Sequence, residues 1–240
     1  MKLSIVIPFY NEAATLSELV KKVLDVNLAP LSKEIILVND GSTDGSAGIA
    51  RQLQHDHCQV IQLISFERNG GKGRATITGL RAATGEILIV QDADLEYEPE
   101  DYHRILAAYR DPAVKVVFGS RILGAQDHLM HNGTVRRHSY ERYYWGGRLV
   151  TLVANYAFAA HLSDEPTCYK SLRREVLEEL ELNSQGFEFC PEITAQLLKK
   201  GHRIVEVPIH YYPRGFEAGK KIRYSDGIKA IWMLIRQRLR

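Results

Sequence analysis

Residues 87–99 read ILIVQDADLEYEP. The first four, Ile87 to Val90, are apolar without alternation, the pattern of a strand buried on both faces. The run then stops in acid, at Asp92, Asp94, Glu96 and Glu98. Packing gives no reason for carboxylates at the end of a buried strand, because an uncompensated carboxylate at the edge of a core is costly. Open parallel sheets bind ligands beyond the carboxyl ends of their strands. Asp92-Ala93-Asp94 is therefore a candidate site for a divalent cation held through oxygen and shared with a phosphate ligand. A solvated acidic loop, with Pro99 starting a helix, is the plain alternative.

Neighbouring segments repeat the pattern. Leu3 to Ile7 reads as a strand stopped by Pro8, followed by Tyr10-Asn11-Glu12 and a helix with Leu16, Leu19, Val20, Val23 and Leu24 at helical spacing. Glu34 to Val38 reads as a second strand. It ends in Asn39-Asp40-Gly41-Ser42, and Thr43 or Asp44 is placed to cap the next helix. Val60 to Ile64 is a third strand, and Asn69-Gly70-Gly71-Lys72-Gly73 opens a helix running to about Ala83. This alternation predicts an α/β fold with a mostly parallel sheet and helices on both faces. Three polar loops then fall on one sheet edge, which strengthens the reading of Asp92 and Asp94 as a site.

The glycine-rich loop at 69–73 lacks the spacing of a Walker A or dinucleotide-binding motif, which disfavours an NTPase or a dehydrogenase. Lys72 is placed either to approach a phosphate or simply at a loose helix start. Val114 to Arg121 is a further strand ending in arginine, and Gly124 to Gly133 a polar loop whose His128 and His131 have no metal-ligand spacing. Val135 to Ala160 predicts one long helix or two, with Arg136, Arg137, Arg142 and Arg148 as a solvated basic face or a phosphate grip. Leu162 to Lys170 is a loop entering a short strand. Arg174 to Leu182 and Phe187 to Lys200 read as helices, the second stopped by Gly201, and Arg203 to Tyr211 as the last strand. Residues 1–214 are expected to form the catalytic domain. Residues 215–240 add a basic loop and a C-terminal amphipathic helix, docked on that domain or lying on an anionic membrane.

Composition narrows the class. The 240 residues are 45% hydrophobic and 25% charged, with net charge +2, so no general attraction to nucleic acid follows. Cys58, Cys168 and Cys190 are odd in number and far apart, as expected in a reducing, cytoplasmic setting. The opening MKLSIVIPFY is a strand and not a signal peptide. No run approaches the roughly 18 apolar residues of a spanning helix, so the chain is expected to be soluble or peripheral at the cytoplasmic membrane face.

In order, IVIPFYNEAATL, VNDGSTDGS, NGGKG, QDADLEYEPED, GSR, LSDEPTCYK, GFEF with PEI, and PRGFEAGKKI resemble family 2 glycosyltransferases, and most closely the dolichol-phosphate mannose synthase branch that makes polyprenyl-phosphate sugars. The resemblance covers nearly the whole chain. It implies a GT-A fold and inverting transfer of a hexose from a nucleoside diphosphate sugar, GDP- or UDP-linked, to a lipid phosphate with Mg²⁺ or Mn²⁺. By motif, Pro8, Tyr10 and Glu12 would hold the nucleotide and Asp40 its base or ribose. Asp92, Ala93 and Asp94 would form the DxD element, and Glu96, where relatives often carry Gln, would reach the metal. Arg121 would lie near the sugar and phosphates, Arg214 and Lys220 would belong to a loop that closes over the diphosphate, and Asp164 would take the acidic position of the acceptor-side loop.

Two other readings remain open from sequence. The same chemistry onto a hydroxyl acceptor makes Asp164 the leading general base. A non-catalytic nucleotide-sugar-binding subunit is disfavoured by the intact Asp92, Asp94, Arg121 and Arg214. A nucleotidyltransferase lacks support because PFYNE stands where its glycine-rich loop belongs.

Overall fold

The computed structural model describes residues 1–126, 137–214 and 224–240. In chain order the elements are β1 (Lys2–Phe9), α1 (Leu16–Asp25), β2 (Ser32–Asn39), α2 (Ser46–Asp56), β3 (Ile61–Ser65), α3 (Lys72–Ala82) and β4 (Ile87–Val90). A short 3₁₀ turn (Pro99–Asp101) leads into α4 (Tyr102–Ala108), then β5 (Val116–Ser120), α5 (Arg121–Gln126), α6 (Arg137–Phe158) and β6 (Lys170–Arg173). The chain continues through α7 (Arg174–Glu178), α8 (Phe189–Lys199), β7 (Ile204–Pro208) and α9 (Tyr224–Leu239).

Seven strands form one sheet in the order β3-β2-β1-β4-β6-β5-β7. All pairings are parallel except those of β6, which runs antiparallel to β4 and to β5. Each face of the sheet has its own core. Leu3, Ile5 and Ile7 of β1 pack with α1 and α4, while Val6 of the same strand packs with Leu80 of α3 and Ile193 of α8. Strand periodicity of two thus supplies both layers from one strand. A smaller cluster joins Val150 and Ala154 of α6, Ala195 of α8 and Leu234 of α9.

Several boundaries differ from the sequence reading. Pro8 does not stop β1, whose pairing with β2 continues through Pro8 opposite Val38 and Phe9 opposite Asn39. The carbonyl of Val6 accepts from the Gln91 amide on the β4 side, and that of Phe9 accepts from the Asp40 amide on the β2 side. Pro8 therefore falls in the phase that faces β4, beyond the last β1–β4 pair at Val6 and Val90, so its missing N–H breaks no ladder bond. Gly124 lies in α5 and not in a loop.

The helix expected from Arg174 to Leu182 is shorter, ending as α7 at Glu178. The amides of Glu179 and Leu180 turn back to the carbonyls of Val176 and Leu177, three residues away, which tightens and closes the turn. The last strand, expected to reach Tyr211, ends as β7 at Pro208, where its pairing with β5 runs out at Ser120. The N-cap of α2 is Gly45, although Asp44 still accepts the Ser46 amide at 2.9 Å. His128, His131, Arg136 and Lys220 lie outside the described residues.

Antiparallel β6 carries the consequence for function. Because it runs against β4 and β5, its first residue, Lys170, pairs with Phe118 near the carboxyl end of β5. The loop before it, 162–169, is thereby delivered to the same edge as the ends of β1, β2 and β4. Parallel β7 ends beside Ser120 and delivers 211–214 there as well.

Candidate functional site

Loops from β1, β2, β4, β5, β6 and β7 meet at this edge. The first two are laced together. The Asn11 amide donates to Ser42 Oγ at 3.0 Å, the Thr43 amide to Asn11 Oδ1 at 2.8 Å, and the Glu12 amide to Ser46 Oγ at 2.8 Å. Asn11 holds a left-handed φ of 51°, which asparagine tolerates better than most residues. Pro8 is buried in β1 and Tyr10 half-buried just beyond it.

Asp40, 2% exposed, accepts the Gly70 amide at 2.9 Å and the Gly71 amide at 2.7 Å. It anchors the glycine-rich loop to the end of β2. Gly71 has φ +96°, and a Cβ there would sit 2.4 Å from the Gln185 carbonyl oxygen. Glycine is required at this point on both counts. The segment 184–186 thus packs directly on the loop, a contact the sequence reading did not assign.

That anchoring places Lys72 at the start of α3, with Nζ 2.6 Å from Asp92 Oδ1 and 3.1 Å from Cys168 Sγ. Burial opposes charge on Asp92, but the Lys72 ammonium beside it holds the carboxyl below its ordinary range. Burial likewise disfavours the Lys72 charge, and Asp92 overrides it, so the lysine pKa lies well above its usual value. Asp94 is the opposite case. Burial, with Asp92 and Glu96 nearby, raises its pKa to about 7 against the pull of Arg214 and Lys72. Ala93 between them is buried.

Arg214 completes this centre. Its Nη1 donates to Glu12 Oε2 at 3.2 Å and its Nη2 to Glu12 Oε1 at 3.1 Å, with Asp94 Oδ2 3.5 Å away. Glu96 serves as a tether. It accepts the Tyr211 hydroxyl at 2.6 Å and the Arg214 amide at 3.0 Å, and its own carbonyl accepts the Tyr212 amide at 2.8 Å.

On the other side, Arg121 grips Asp164 through Nε and Nη2, both at 2.7 Å, and its backbone amide donates to the same carboxylate at 2.9 Å. The guanidinium lies 5.0 Å from the Tyr211 ring, which links this pair to Glu96. Asp164 is 4% exposed. A paired, forked geometry of this kind is the strong form of a charged hydrogen bond.

Beneath the acidic loop lies a polar clamp that sequence reasoning missed. Gln91 Oε1 accepts from Tyr102 and from Tyr169, each at 2.6 Å, while its Nε2 donates to the Asp92 carbonyl at 3.0 Å. Tyrosines scattered over 97–211 carry no sequence period, so nothing in the spacing announces that they converge.

Among the described residues no three His, Cys, Asp or Glu side chains form a preformed metal cage. The donor chemistry nevertheless fits a hard divalent cation. Asp92 and Asp94 are carboxylate oxygen donors two residues apart just beyond β4, and the raised pKa of Asp94 reflects burial first and the Asp92 and Glu96 charges second. Two carboxylates with phosphate and water oxygens suit Mg²⁺ or Mn²⁺ better than an all-protein cage would.

The sequence-derived residues Glu12, Asp40, Lys72, Asp92, Asp94, Glu96, Arg121, Asp164 and Arg214 are therefore brought together at one edge. The profile of glycosyl transferase family 2 matches residues 4–181. The chain is 30% identical over 218 residues to dolichol-phosphate mannosyltransferase of Pyrococcus furiosus, covering 88% of this chain and 56% of that protein. It is 27% identical over 222 residues to undecaprenyl-phosphate 4-deoxy-4-formamido-L-arabinose transferase of Enterobacter sp., covering 91% of this chain and 62% of that one. It thus spans less than two thirds of the length of these relatives. Glucosyl-3-phosphoglycerate synthase from Mycobacterium tuberculosis, crystallised with Mn²⁺, UDP and phosphoglyceric acid, superposes with a TM-score of 0.70 at 17% identity, over 99% of this chain and 78% of that one. At that identity the likeness speaks to the fold, which is GT-A. With these residues gathered on the sheet edge and the family profile matched over most of this chain, the chain belongs to glycosyl transferase family 2.

Proposed function

We propose that the chain catalyses inverting transfer of a hexose from a nucleoside diphosphate sugar to a polyprenyl phosphate, with Mg²⁺ or Mn²⁺. The carrying observation is the convergence of Asp92 and Asp94 with Lys72, Arg214 and the Arg121–Asp164 pair on one sheet edge. In such a transfer the bond from the sugar C1 to the diphosphate oxygen breaks as a new bond forms from C1 to an acceptor oxygen. Negative charge then develops on the departing diphosphate. Lys72 and Arg214 are the fixed cations placed to stabilise that charge. A divalent ion held by Asp92 and Asp94 would supply further Lewis-acid stabilisation of the leaving group. Pro8, Tyr10, Glu12 and Asp40 line the approach for the nucleotide.

The state of Asp164 favours a phosphate acceptor over a hydroxyl. Both carboxylate oxygens are taken by Arg121, which leaves Asp164 poorly suited to remove a proton. A phosphate monoester acceptor is already ionised near neutral pH and needs no base. Asp164 then orients Arg121, whose guanidinium faces the reacting groups. The two relatives are named for dolichol phosphate and undecaprenyl phosphate, which supports the same acceptor class.

The test is direct. Purified protein with Mn²⁺ is offered UDP- and GDP-hexoses together with a polyprenyl phosphate in detergent, and nucleoside diphosphate release is followed. Release that requires both metal and lipid phosphate is the expected result. Release with no dependence on the lipid phosphate, or none with any donor, overturns the proposal.

A further inference from the structure

Ten large hydrophobic or aromatic side chains stand exposed among the described residues, and eight of them lie on just two helices. On α6 they are Trp145, Leu149, Leu152 and Tyr156. On α9 they are Ile228, Trp232, Ile235 and Leu239. The spacing is identical in both, i, i+4, i+7 and i+11, which is one face of a helix. Exposure runs from 46% at Ile235 to 91% at Tyr156. The two helices pack on each other through the buried cluster of Val150, Ala154 and Leu234. In each helix the exposed stripe lies roughly 130–150° around the axis from the residues in that cluster, so both stripes face outward.

A patch of this size on a folded domain marks a contact surface. Charge decides which kind. Lys229, Arg238 and Arg240 are exposed along α9 and its end, and Arg236 stacks over Trp232 at 5.1 Å. Arg148 is exposed on α6, and residues 144–158 of that helix contain no acidic side chain. Asp226 is the sole carboxylate of α9. In a two-fold dimer the same patch meets itself, which would set these cations against their own copies. Anionic lipid headgroups complement them. Both tryptophans of the chain sit on the stripes, and indole rings favour the membrane–water boundary. No described helix is long and apolar enough to cross a bilayer.

We infer that the outward stripes of α6 and α9 seat the protein on an anionic bilayer surface. The inference deepens the lipid-phosphate reading and rests on it for its purpose. Helix α6 is tied to the acceptor-side loop, since Arg148 Nη1 donates to the Ser163 carbonyl at 3.1 Å, one residue from Asp164. Seating α6 in the headgroup layer therefore brings the Arg121–Asp164 side of the site to the depth at which a polyprenyl phosphate presents its headgroup.

Co-sedimentation of the whole chain with vesicles tests this, using phosphatidylcholine alone or mixed with phosphatidylglycerol. Wild type is expected to partition at least about tenfold more strongly onto the anionic vesicles, with its tryptophan emission shifting to the blue. The double variant L152E/W232E, altered only at exposed positions, is expected to lose at least about tenfold in partitioning while keeping its melting temperature. Absence of a blue shift in the wild type overturns the inference even if the variant proves unstable. Equal sedimentation of wild type and a folded variant overturns it too, as does a concentration-dependent dimer abolished by the same substitutions. Turnover with detergent-dispersed lipid phosphate separates the two proposals. If it persists while vesicle binding is missing, only the membrane seating fails. If vesicle binding is present and turnover is not, only the proposed reaction fails.

Discussion

Arg214 and Glu12, far apart in the chain, meet in a forked ion pair at 3.1 and 3.2 Å that places a guanidinium 3.5 Å from Asp94. The arginine thereby partly neutralises carboxylates that a metal-bound donor would otherwise neutralise. Burial disfavours its charge, but the bond to Glu12 and the nearby Asp94 and Glu96 raise its pKa above the ordinary value. Arg214→Ala is expected to tighten binding of Mn²⁺ alone by up to about tenfold, because a competing cation is gone. Turnover should fall by about a hundredfold, because a cation facing the leaving group is also gone. Calorimetry with Mn²⁺ and steady-state kinetics read the two effects separately.

Asp94→Asn keeps the shape of the side chain and removes an anionic oxygen. The donor nucleotide should raise the melting temperature of wild type more with Mn²⁺ than without it, by mass action. That metal-dependent increment is expected to vanish in the variant. Retention of the full increment would place the metal elsewhere.

Asp164→Asn tests whether this residue positions or deprotonates. The amide oxygen can replace only one of the two carboxylate oxygens that the Arg121 guanidinium grips, so kcat/KM is expected to fall by about ten- to a hundredfold as the guanidinium loses its fixed orientation. The shape of the pH–rate profile should stay the same. Loss of its acidic limb in the variant would instead identify Asp164 as the base.

Glu34 gives the acid sensitivity of the fold. Burial disfavours its charge, but Lys2, Ser4 and Thr84 outweigh that and bring its pKa down to about 2 from 4.5. The group binds its proton more readily when unfolded, so its stabilisation is complete above pH 4.5 and is lost as pH falls toward 2. Glu34→Gln should lower stability at pH 7 by about 1–2 kcal/mol, allowing for partial solvation. The gap between variant and wild type should close on acidification. Urea unfolding from about pH 7 to pH 3 measures it.

Gly71→Ala would push a methyl group against the Gln185 carbonyl at a φ of +96°. A loss of about 1–3 kcal/mol is expected, together with weaker nucleotide binding, since the loop positions Lys72. Denaturant midpoints and nucleotide titration check both.

The sheet edge where these residues gather was legible in the sequence because buried strands ending in polar residues are local signals. Ile87 to Val90 running into Asp92 needed no partner to be read. The element that completes the site did not share that clarity. The short strand expected at Lys170 is present as β6, but Lys170-Ser171-Leu172-Arg173 has neither alternation nor an apolar run to tell that it lies antiparallel between β4 and β5. Lys170 is fully buried, with Nζ donating to the Glu165 carbonyl at 2.6 Å and to Thr194 Oγ1 at 2.9 Å, over the Phe118 ring. Those partners come from three separate segments, and spacing along one chain cannot announce them. Glu96 is similar. Its motif position suggested a ligand, and the structure uses both its oxygens to secure 211–214. Pro8 misled for a converse reason, since a proline stops a strand only where its nitrogen faces a neighbour.

The carboxamide of Gln91 is engaged at both ends, with two phenols on its oxygen and the Asp92 carbonyl on its nitrogen. It works as a spacer of fixed length between the aromatic floor and the acidic loop. Trimming either Tyr102 or Tyr169 would therefore register as a shift in where the aspartates stand, and a defect arising there would masquerade as damage to the chemistry itself.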